Sequence, residues 1–178
     1  TGSIFVNGVR VATATDSTNY TISPTTSYVA CRWAVSDFMT GYLSSLRIVK
    51  GTAVYDPTQT TITVPTAPLT AITNTSLLLN FTNAGIYDAT SKNDLETVGN
   101  AQISTTQSKW GGSSIYLDGT TDYLVEPTNV NYGYGTGGFT IECWVYVTAT
   151  AVQTLVSNLS GTASTNPHIY LNNNALTY

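Results

Sequence analysis

Phe139-Thr140-Ile141-Glu142-Cys143-Trp144-Val145-Tyr146-Val147 is the longest clean alternation in this chain. A period of two places successive side chains on opposite faces of a strand, so Thr140, Glu142, Trp144 and Tyr146 share one face. Glycines 133, 135, 137 and 138 lead into it. Upstream, Ser113 to Val125 (SSIYLDGTTDYLV) reads as strand, turn and strand around Asp118-Gly119, and Ser76 to Phe81 (SLLLNF) as a short strand buried on both faces. Asp88 to Asn100 reads as a polar loop region. From Lys50 to Ala71 alternation is lost, and Asp56-Pro57, Pro65 and Pro68 mark an extended connector and a domain boundary. Before it, Gly41 to Val49 alternates, with Tyr42, Ser44, Leu46 and Ile48 on one face and Leu43, Ser45, Arg47 and Val49 on the other. Earlier still come Tyr28 to Val35, a Ser23-Pro24 turn, Tyr20 to Ile22, and Ser3 to Ala14, a hairpin turned at Asn7-Gly8. Thr154 to Asn158, His168 to Leu171 and Leu176 to Tyr178 supply shorter strands.

Composition agrees. Only 9% of the 178 residues are charged, against about 25% in an ordinary domain. Thr, Val and Tyr, which fit a pleated surface, stand where helix formers would be. Short strands separated by Gly, Pro and Asn turns predict an all-β, antiparallel jelly-roll β-sandwich. A net charge of −4 with six Lys plus Arg leaves no basic stripe for nucleic acid or for an acidic lipid surface. No apolar run approaches the length of a bilayer span, and the opening Thr1-Gly2-Ser3-Ile4-Phe5 is strand-like instead of a leader, so any targeting signal is expected outside this chain. Cys31 and Cys143 lie in apolar alternating segments and read as core thiols, with one disulfide as the alternative. Sequons begin at Asn19, Asn74, Asn80 and Asn158.

Gly137 to Val147 (GGFTIECWVYV), preceded by SIYLDGTTDYL, resembles the opening half of a laminin-G-like or concanavalin A-like jelly roll. Phe5 to Val9 and Gly41 to Ile48 resemble its closing half, yet they come first, so the halves stand in rotated order. Val49 to Tyr55, the Pro-rich stretch and SLLLNF resemble the junction between successive repeats of phage tail fibre and other extracellular fibre proteins. The resemblance implies residues 1–70 as the end of one repeat and 71–178 as the start of the next, or else a circularly permuted single domain. It implies a virion-surface or extracellular location, fibre or virion subunits and cell-surface glycans as partners, and a homo-oligomer. The Trp-x-His strand that usually joins the halves has no counterpart here.

Catalysis is not expected. No pattern of alternating carboxylates is present, a single His excludes a His cluster, and Glu96 and Glu126 fall in loop-like contexts. No cofactor is required. Calcium is the candidate ion, through Asp118 and Asp122 with Asp88 or Asn129, although Asp118-Gly119 is equally ordinary turn chemistry. A sugar needs an aromatic platform and hydrogen-bonding side chains. Trp144, Tyr146 and Glu142 share one face for this, unless a second sheet covers it, and Tyr132 and Tyr134 in the Gly-rich loop are expected to be exposed.

Overall fold

The computed structural model describes residues 1–21, 26–127, 132–158 and 167–177. Strands make up about 46% of it, with no helix, and every strand pairing is antiparallel. The strands are β1 (Gly2–Val6), β2 (Val9–Ala14), β3 (Thr26–Val29), β4 (Thr40–Lys50), β5 (Thr75–Leu79), β6 (Glu96–Val98), β7 (Gln102–Ser104), β8 (Ser114–Asp118), β9 (Tyr123–Pro127), β10 (Phe139–Val147), β11 (Gln153–Ser157), β12 (His168–Asn172) and β13 (Ala175–Thr177). One sheet runs β10-β4-β8-β7, with β5 also paired to β4, and the other runs β13-β12-β11-β3-β9-β6. The hairpin β1-β2 forms its own two-stranded sheet, bonded to the connector by Arg10 N–H on the Thr60 carbonyl and Ile62 N–H on that of Gly8, and is turned at Asn7-Gly8 as its sequence predicts; Asn7 and Gly8 both take positive φ.

The two sheets close on one apolar core. Leu43, Leu46 and Ile48 of β4, Leu77 and Leu79 of β5, and Ile115 and Leu117 of β8 meet Val29, Leu124, Leu155, Val156 and Leu171 from the other sheet. Each such side chain stabilises the fold by about 1.5–3 kcal/mol on burial. Every residue of β5 is buried, as its unbroken apolar run requires. Strands from before and after residue 70 interleave: β4 pairs with β5, β8 and β10, and β3 with β9 and β11.

Strict alternation fails inside β4. Opposite β10, Arg47 pairs with Glu142 and Ser44 with Trp144, so Ser45 and Leu46 together face Cys143 alone. Ser45 takes φ 50°, the left-handed conformation that opens such a bulge. The extra residue inverts the pleat, so Leu43 joins Leu46 and Ile48 in the core while Tyr42 and Ser44 turn outward. That corrects the expected grouping of Tyr42 with Leu46.

Residues 113–125 form strand, turn and strand as their sequence predicts, with β8 and β9 in different sheets and Asp118-Gly119 turning the chain from one to the other. Two further expectations are corrected. Tyr28 to Val35 is strand only to Val29; beyond it Arg32 bridges Ser36 in a tight turn, with Ala34 and Val35 at positive φ. Glu96 and Glu126 lie on strands β6 and β9. Tyr20 makes an isolated bridge to Gly135, while Ile22, Ser23 and Pro24 lie outside the described residues.

Candidate functional site: the outer face of the five-stranded sheet

One face of β10 looks to the core and the other away from it, as strand alternation requires. Phe139, Ile141, Cys143 and Val147 pack against the core, whereas Thr140, Glu142, Trp144 and Tyr146 stand on the outer face beside Val49, Arg47, Ser44 and Tyr42 of β4. The connector covers one end of that face. Arg47 donates from Nε to Glu142 Oε1 at 2.8 Å and from Nη1 to the carbonyl of Thr70 at 2.8 Å. Tyr55 donates its hydroxyl to Glu142 Oε2 at 2.7 Å, and Thr140 Oγ1 accepts the Val54 N–H. Both carboxylate oxygens of Glu142 are therefore engaged, and burial with the adjacent carboxylate pushes the Tyr55 phenol well above its ordinary range. Glu142 is a fastener of the connector to the sheet.

Past the connector the face is aromatic. Tyr42 lies between Tyr116 of β8, with ring centroids 5.2 Å apart, and Tyr146 of β10, at 6.1 Å. Tyr146 is 55% exposed. One register step along, Trp144 meets Trp110 edge-on at 6.0 Å, and Lys109 Nζ sits 5.4 Å from the Trp110 ring centroid. Gln102, paired with Tyr116, and Asp118, paired with Thr40, supply polar groups at the rim. Rings fixed in a row with amide and carboxylate groups alongside suit a ligand with C–H faces to stack and hydroxyls to satisfy.

Of the residues singled out from sequence, Trp144 and Tyr146 belong to this face and Glu142 is beside it, committed to Arg47. Tyr132 and Tyr134 do not belong: they are 2% and 3% exposed, buried in the core, with Tyr134 stacked on Phe139 at 4.7 Å. Burial raises both phenols far above the ordinary value. Sequence reasoning missed Tyr42, Tyr116 and Trp110. Tyr42 was hidden by the bulge; its signal was the Leu43-to-Leu46 spacing across Ser44-Ser45, which no period of two accommodates.

The three aspartates lie in two separate networks. Asp88 accepts from the N–H groups of Leu78 and Thr90, from Thr90 Oγ1 and from Asn93 Nδ2. Burial works to raise its pKa, and these hydrogen bonds outweigh it and hold the carboxyl below the usual value. With Asn93 Nδ2 on the Ser76 carbonyl and Ala89 N–H on that of Leu78, this loop occupies the outer edge of β5. Asp122, fully buried, accepts from the N–H groups of Asn100 and Asp118. Asp118 accepts from Thr120 and Thr121, which lower its pKa. All three thus perform loop and turn chemistry, and among the described residues no group of three His, Cys, Asp or Glu side chains converges as a metal site. Asn129 lies outside the described residues.

Cys31 and Cys143 are free thiols, each pushed up to about 12, Cys31 by burial and Cys143 chiefly by burial. Asn158, the last sequon asparagine, is buried between Ser27 Oγ and the Tyr132 carbonyl, out of reach of a glycan. His168 lies on β12, 3.0 Å from Thr154 Oγ1 and stacked on Tyr170. No family model, curated protein or solved structure matches this chain.

Proposed function

We propose that this chain is a non-catalytic structural and adhesive module of an extracellular fibre, of the phage-tail or virion-surface kind, whose outer aromatic face contacts host glycans. The observation that carries the reading is the row Tyr116, Tyr42 and Tyr146, fixed across three strands on a face turned away from the core. A packed core has no use for rings on that side, and an aromatic row with Tyr146 exposed, Tyr42 and Tyr116 half-buried and polar groups alongside is what a shallow sugar site needs. The fibre context rests on the resemblance to jelly-roll repeats and their junctions, as does the concanavalin A-like topology. Homo-oligomeric assembly with other fibre or virion subunits belongs to the same reading.

A free-standing carbohydrate-binding domain is the second reading, favoured by the single core that both halves of the chain build. A glycan array tests the site common to both readings. Binding is expected for the native chain and a loss of at least tenfold for Tyr146→Ala and for Trp144→Ala, with thermal midpoints showing that the variants remain folded. An array without signal overturns the glycan contact in either context.

A further inference from the structure

The two sheets do not close on each other along their whole length. Between β10 and the strands β11, β12 and β13 lies a cavity of about 430 Å³, a volume typical of small-molecule sites. Among the described residues, Phe139, Ile141 and Cys143 line one wall and Leu155, Ile169 and Leu176 the other. All six pack within or against the apolar core, yet only Leu155 is fully buried and the other five are half-buried. Ile4 and Phe5 of β1 line the cavity from the hairpin side.

Polar bonds keep the hairpin from settling onto those walls. Ser3 donates its hydroxyl to the Pro57 carbonyl at 2.6 Å, and Arg10 donates from Nη1 to that of Thr58 at 2.9 Å. The connector is in turn held to β10 by Tyr55 on Glu142. Hairpin, connector and strand are thus fixed around a space whose apolar walls lack partner atoms, and an apolar occupant restores the missing dispersion contacts. The two carboxylates that border the cavity are both committed. Arg47 and Tyr55 take the oxygens of Glu142; at Asp16 one oxygen accepts the Thr18 N–H at 2.9 Å and the other the Tyr20 hydroxyl at 2.6 Å. An anion entering the cavity would meet these carboxylates, and a cation would find them already occupied; either would leave water without a free partner.

We propose that this cavity is a binding site for a neutral, compact apolar small molecule. It lies on the opposite side of β10 from Trp144 and Tyr146, so it stands whatever the outer aromatic face binds.

Fluorescence titration with N-phenylnaphthylamine, a neutral apolar probe, is the test. Anilinonaphthalenesulfonate, with the same rings and one negative charge, is the comparison. The native chain is expected to bind the neutral probe at one site, the sulfonate at least tenfold more weakly, and to gain in thermal midpoint when saturated with the neutral probe. Cys143→Phe and Ile169→Phe fill the cavity from opposite walls. Each is expected to weaken binding of the neutral probe at least tenfold, with a native-like thermal midpoint showing that the fold is kept; if one of them unfolds, the other carries the comparison. No binding of the neutral probe, equal binding of the sulfonate, or binding that a folded filling variant does not weaken overturns the proposal.

Discussion

Glu142 shows how one side chain's partners settle its role. On sequence alone it is a carboxylate beside a tryptophan on a strand, open to reading as a sugar ligand. In the fold Arg47 and Tyr55 take both oxygens, with the Arg47 and Glu142 side chains only 7% and 13% exposed. Removing one partner of so buried a pair strands the other charge, so Glu142→Ala should cost about 3 kcal/mol and loosen the connector, read as a lowered urea midpoint. His168 makes the pH-dependent counterpart. Burial, with the nearby Arg32 charge adding to it, lowers its pKa from 6.5 to about 4. Between those values the unfolded chain binds the proton and the folded chain does not. Stability therefore falls as pH drops from 6.5 towards 4 and levels off below. Comparing urea midpoints at pH 7 and 4.5, the native chain should lose more than His168→Gln; equal losses would mean that His168 is not buried in its neutral form.

At the scale of elements, most of the fold was legible because each strand carries its own local signal. Alternation in β10, the apolar run of β5 and Asn7-Gly8 between β1 and β2 are read without knowing any partner. What escaped depends on partners. The bulge at Ser45 exists only relative to β10, and whether β8 and β9 pair or part at Asp118-Gly119 is decided by which sheet each joins. The burial of Tyr132 and Tyr134 is likewise settled by the core and not by the glycines beside them. Gly41 marks a close approach of the same non-local kind. Its φ is +139°, and a Cβ there would lie 2.2 Å from the Tyr146 carbonyl oxygen. Gly41→Ala should force β10 away from β4 at the aromatic end, costing about 2 kcal/mol or more, with the loss visible in thermal melts.

Over the whole molecule, two sheets share one core, and the aromatic face lies where neither that core nor the connector reaches. Of the candidate site, Trp144 and Tyr146 were readable from period alone. Tyr42, Tyr116 and Trp110 come from segments distant in sequence, and placing the first two required the sheet order β10-β4-β8 to be known. The most direct test of an adhesive aromatic face is to assign the side-chain ring resonances and titrate the chain with an oligosaccharide that scores on the array. Ring protons of Tyr42, Tyr116, Tyr146 and Trp144 should shift together along one binding isotherm, while the core-facing Ile141 and Leu46 methyls stay in place. Shifts confined to residues away from the outer face, with these four rings unmoved, would contradict the account.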